Sequence, residues 1–94
     1  MGSNKGHRRI ISKLPVSTSF SPSGIPLTSM DSVNLKISEL EAMHLVDLKG
    51  FKQEDAARNM GVSRKTLWKD LKSGRRIVTD ALINGKKINI DISG

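Results

Sequence analysis

Apolar residues follow three different rhythms along this chain. In residues 1–31, Ile10, Ile11, Leu14, Val16, Phe20, Ile25 and Leu27 have no helical period, and Pro15, Pro22 and Pro26 interrupt them. Proline fixes φ and removes a donor, so the segment reads as an extended arm that buries part of its apolar content against the rest. Ser32-Val33-Asn34-Leu35-Lys36-Ile37 then alternates, as a strand does, and residues 87–92 repeat the alternation with Ile88, Ile90 and Ile92 on one face. These two segments are expected to pair, either within one chain or between two subunits.

Between them the period lengthens to three and four. Ser38-Glu39-Leu40-Glu41 has the spacing of a capping box, with Ser38 as cap and Glu41 its partner, predicting a helix that follows and runs to about Lys49, with Gly50 and Phe51 at its end. Leu40, Met43, Leu45, Val46 and Leu48 form its apolar face. A second helix covers about Gln53 to Met60. A third follows Ser63 to about Ile83, with Leu67, Leu71, Gly74, Val78 and Ala81 on one stripe. Gly74 inside it signals close packing or a kink. Asn84-Gly85 is the stop. The expected fold is mainly α: three to four helices built on a helix-turn-helix, a minor β-strand pair and an extended N-terminal arm. The arm covers 1–31 and the helix-turn-helix domain 32–94.

The turn between the second and third helices carries the sharpest signal. Ala57 is small where two helices cross. Gly61 can adopt the left-handed conformation, Val62 points inward, Ser63 can cap the next helix, and Leu67 returns to the core. This is the spacing of a DNA-binding helix-turn-helix, whose second helix enters the major groove.

Charge sharpens that reading. The 94 residues carry a net charge of +7. Residues 63–76 hold Arg64, Lys65, Lys69, Lys72, Arg75 and Arg76 against Asp70 alone, whereas residues 38–62 are net negative. Cations concentrated on one helix and on the arm are the footprint of a phosphate-backbone binder. The chain has no cysteine, which removes disulfides and Cys-based zinc sites. No apolar run approaches the ~20 residues of a membrane span, and no signal peptide is visible, so a soluble cytoplasmic protein is expected. His7 and His44 lack partners at metal-ligand spacing, and no nucleophile–base pair, paired carboxylates or phosphate-cradling loop is evident. Neither catalysis nor a cofactor is expected.

Over most of its length the chain resembles the domain of unknown function 134 family, small prokaryotic proteins predicted to bind DNA. The resemblance runs from Lys5 to Arg9, Pro15, Phe20, Pro22 and Gly24-Ile25-Pro26-Leu27 through Glu39-Leu40-Glu41-Ala42 and Ala56-Ala57. It is most specific at Met60-Gly61-Val62-Ser63-Arg64 and continues to Asn84-Gly85-Lys86. It implies a helix-turn-helix similar to region four of bacterial sigma factors. Asp70 departs from the pattern, standing where an aliphatic residue is usual, and implies a third helix rotated or loosely packed there. Lys65 replaces a frequent proline, and the N-terminal cysteine of many members is missing, so no metal role is carried over.

N-terminal residues of a recognition helix meet base edges and later cations meet phosphates. Arg64, Lys65, Thr66, Trp68 and Lys69 are therefore assigned to the groove, with base readout from Arg64, Lys65 and Lys69. Lys72, Arg75 and Arg76 are assigned to phosphates, Arg8 and Arg9 to weaker contacts. Ser63 caps and can touch phosphate; Gln53, opening the second helix, can donate across the backbone. Trp68, the sole tryptophan, is placed on the exposed face rather than in the core. The expected function is sequence-specific binding of double-stranded DNA by a transcriptional regulator, with a homodimer as the expected assembly. The alternative is an adaptor contacting RNA polymerase or another regulator.

Overall fold

The structure, a computed structural model, describes residues 9–93. The arm contributes a two-residue strand β1, Ser19–Phe20, and a single 3₁₀ turn over Leu27–Ser29. Strand β2, Ser32–Lys36, runs without a loop into helix α1, Ile37–Met43. Helices α2, Gln53–Met60, and α3, Arg64–Asn84, follow, and strand β3, Lys87–Asp91, is the last described element.

The strands form one sheet in the order β1-β3-β2. β2 and β3 pair within the chain, in parallel, with Val33 opposite Ile88 and Leu35 opposite Ile90. Parallel pairing needs a long crossover, and here all three helices supply it. The strand pair is therefore present but enlarged: β1 adds antiparallel to the other side of β3, Phe20 opposite Ile88. A two-residue strand with both side chains exposed leaves no periodic trace in sequence.

Two apolar clusters hold the fold. One joins Ala42, Leu45, Ala56, Ala57, Met60, Leu67 and Leu71, with Phe51 and Val62 packed on it. The other joins the sheet to the helices through Leu35, Ile37 and Ile90, flanked by Ile11, Leu40, Ile77 and Val78. Arm burial is selective: Ile11 enters this cluster, while Val16 is 98% exposed and Leu14 58%.

α1 starts earlier than its capping-box spacing predicts. Its first helical residue is Ile37, and Glu39, not Glu41, reaches back to accept the Lys36 backbone N–H at 2.8 Å. Burial of Ile37 in the sheet cluster fixes this register, which places Ser38 and Glu41 inside the helix, both buried. The end of the helix also differs. His44–Leu48 forms a wider π-type turn, closed by Lys49 N–H to His44 C=O at 3.0 Å. The extra residue rolls Leu48, expected on the apolar face, out to 79% exposure.

α3 is continuous through Gly74, which answers the choice between packing and kink. A Cβ there would lie 2.8 Å from Met43 Sδ and 3.1 Å from the Glu39 carbonyl oxygen, so α1 crosses at backbone distance. The helix is not loosened at Asp70 either: Leu67 and Leu71 are both fully buried.

Candidate nucleic-acid interface

α2 ends at Gly61, whose φ of 70° suits glycine and strains a side chain. Gly61 N–H donates to Arg58 C=O at 3.2 Å and Val62 N–H to Ala57 C=O at 3.0 Å, closing the helix end. Ser63 Oγ then accepts the Thr66 N–H at 3.0 Å and donates to Thr66 Oγ1 at 3.0 Å. A cap of this type contributes about 1 kcal/mol. Ala57, Met60, Leu67 and Leu71 are buried beneath the turn. The geometry of a helix-turn-helix is thus built from local hydrogen bonds and one apolar cluster.

Burying Leu67, Leu71 and Gly74 forces the opposite stripe of α3 outward. Arg64, Lys65, Trp68, Lys69, Lys72, Arg75 and Arg76 are all exposed, Trp68 to 40%. Gln53, half-buried at the start of α2, lines a shallow concavity with Arg64, Lys65 and Trp68. Thr66 is half-buried and engaged with Ser63. A rise of about 1.5 Å per residue puts Arg76 about 18 Å along the helix from Arg64. The major groove is only about 12 Å wide. A helix docked by its first two turns therefore carries Lys72 and Arg76 to the groove rim, where phosphates lie.

The cations divide by their partners. Among the described residues no ion pair is made by Arg64, Lys65, Lys69, Lys72 or Arg76. Arg75 differs: its Nε and Nη2 donate to Asp47 at 3.1 and 2.7 Å. That hydrogen bond holds the guanidinium pKa above its ordinary value, against an opposing desolvation and with a smaller contribution from the Asp47 charge. Arg9 is half-buried and paired with Asp70, with Nε–Oδ2 at 3.0 Å and Nη2–Oδ1 at 3.3 Å. Arg8 and His7 lie outside the described residues.

Sequence reasoning did not foresee these pairings, which join residues 28 and 61 positions apart. The one available signal was Asp70 itself, the sole acid in residues 63–76. His44 is likewise not isolated: its Nδ1 lies 3.2 Å from Glu41 Oε1. Among the described residues no cluster of three or more His, Cys, Asp or Glu side chains could hold a metal ion. No described helix is long and apolar enough to cross a membrane.

The family model described as "Protein of unknown function DUF134" matches residues 1–94. A UPF0251 protein of Methanosarcina acetivorans is 48% identical over 82 residues, 87% of this chain and 73% of its own length. One from Methanocella arvoryzae is 48% identical over 83 residues, 88% of this chain and 50% of its own. One from Thermoanaerobacter pseudethanolicus is 46% identical over 77 residues, 82% and 65% respectively. The chain thus spans about half to three-quarters of the length of these curated relatives. No solved structure matches it.

Proposed function

The chain belongs to the protein family of unknown function DUF134, and from its helix-turn-helix we propose that it binds double-stranded DNA in a sequence-specific manner, as a cytoplasmic transcriptional regulator rather than an enzyme. One observation carries the reading. Five cations and Trp68 share the exposed face of α3 directly after the capped turn, and none of the five makes an ion pair with a described acid, Arg76 acting on the Asp80 carboxyl through its charge alone. Leaving so many like charges on one helix face is unfavourable in the free protein; a polyanion removes that repulsion and releases its own counterions.

Arg64, Lys65 and Lys69 read base edges from the first two turns, with Thr66 and Trp68 packed against bases or sugars. Lys72, Arg75, Arg76, Ser63 and Gln53 hold phosphates. One such module reads few base pairs, so a symmetric homodimer on two half-sites is the fitting assembly. Binding of the full chain to a DNA duplex, followed by the emission of its single Trp68 across a salt series, tests the reading. Affinity falls steeply with salt, by about −0.9 in log–log slope per phosphate contact. Affinity that ignores salt, or no binding at low salt, overturns it.

A second reading is favoured by a different face. Leu14, Pro15, Leu40, Met43 and Leu48 line an open apolar groove of about 410 Å³ beside α1. An adaptor that docks RNA polymerase or another regulator would use it. Substitutions of Leu14 and Leu48 that abolish partner capture, with DNA affinity intact, would favour this reading.

A further inference from the structure

Asp70 poses a problem for any α3 that enters a groove, because it puts a negative charge next to Lys69 in the recognition half of the helix. We propose that Arg9 is a positioning residue for the recognition helix: it neutralises Asp70 and ties α3 to a strap, residues 9–12, that crosses the turn, rather than contacting DNA itself. The proposal rests on the DNA-binding reading above.

The strap is fixed at each point it crosses. Arg9 grips Asp70 of α3 through two parallel hydrogen bonds, with side chains 25% and 12% exposed. Ile10 N–H donates to Met60 C=O at 3.0 Å, at the end of α2. The Ile10 side chain lies over Gly61, 3.3 Å from where a Cβ would stand. Ser12 donates its N–H at 3.0 Å and its hydroxyl at 2.5 Å to Glu41 of α1. Four residues thus bind α1, α2, the turn and α3 together.

Two consequences follow. A bidentate guanidinium–carboxylate pair fixes orientation as well as charge, so Arg9 sets the roll of α3 about its axis. An Asp70 released from Arg9 presents negative charge one residue from a groove-facing lysine and repels the phosphate backbone. A conserved-charge replacement by lysine keeps the neutralisation and loses the planar fork. Arg9 acts through Asp70, and its influence on DNA vanishes when Asp70 carries no charge.

The test is a double-mutant cycle on the full chain, with affinity for a short mixed-sequence DNA duplex measured over a salt series. Arg9→Ala is expected to weaken binding about tenfold, within the coupling range of residues sharing one ion pair, with the salt slope unchanged. In an Asp70→Asn background the same substitution changes affinity less than about twofold. Arg9→Lys, a mild change that keeps the fold within reach, falls between. In the free protein Arg9→Ala moves the amide resonances of residues 66–71 and leaves those of 80–84 in place. An equal loss in both backgrounds, with a slope flatter by about 0.9, makes Arg9 a phosphate contact and overturns the proposal. No loss in either background overturns it too. Failure of the unmodified chain to bind the duplex removes the DNA reading and this inference together, an outcome distinct from both.

Discussion

The two halves of α3 are one helix with opposite electrostatic characters. From Arg64 to Lys72 its outer face carries Arg64, Lys65, Lys69 and Lys72 without a described acidic partner, and its one acid, Asp70, is turned aside and held by Arg9. From Arg75 to Asn84 two of the three charges are met within the fold, Arg75 by Asp47, and Asp80 by Lys86 at 2.9 Å and Asn84 at 2.6 Å, while Arg76 makes no ion pair among the described residues. Paired surface charges contribute little to stability, because water screens them, but they satisfy the molecule. Unpaired charges on one face leave it attractive to a polyanion. We propose that base reading belongs to the half left unsatisfied.

Gly74 joins the halves, and its replacement has the largest expected effect. Gly74→Val forces side-chain atoms into Met43 and the Glu39 backbone, destabilising by roughly 2–3 kcal/mol and lowering Tm by roughly 10 °C or more. A thermal melt checks it. An unchanged Tm would mean that α1 does not press on α3 there, and that the halves are not rigidly joined.

Within the first half, Arg64→Ala or Lys69→Ala should relax base preference, at about 1–3 kcal/mol per lost bidentate contact. A selection of bound sequences before and after the change reads this directly. Farther along, the contrast narrows to neighbours. Arg76→Ala should flatten the salt slope by about 0.9 and weaken all sequences alike. Arg75→Ala should do less, because Asp47 already holds that guanidinium. Equal effects at the two positions would dissolve the distinction between paired and unpaired cations.

The smallest expected effect is acid-side. Hydrogen bonds from Lys86 and then Asn84 hold the Asp80 carboxyl below its ordinary 3.8. A group with a depressed folded pKa stabilises above its unfolded value and loses that contribution as pH falls through the folded one. The stability advantage of the parent over Asp80→Asn is therefore present at pH 5 and above and fades as the pH falls below about 3.8 toward the lower folded value. Melts at several pH values show it; an advantage that grows toward acid would reverse the assignment.

Much of this was legible because it is local. The turn at Gly61, the Ser63 cap and the buried stripe of α3 rest on residues three to five apart, and their spacing fixes their geometry. The pairing of β2 with β3 was readable from matched alternation, although their separation hid the parallel direction. The rest depends on distance. Whether α1 is capped by Glu39 or Glu41 is decided by the need of Ile37 for the sheet cluster. Arg9 looks like any arm cation until the fold brings Asp70 to it. The π-type turn that exposes Leu48 has no sequence mark, because one inserted residue changes the face without changing composition.

We propose that the unpaired face of α3 meets DNA. Backbone amide resonances followed while the labelled chain is titrated with duplex DNA test it most directly. The expected shifts fall on Gln53 and residues 63–76, strongest over Arg64–Lys69, with residues 38–50 still. Shifts concentrated on 38–50, beside the apolar groove, with 63–76 unmoved, would contradict the claim.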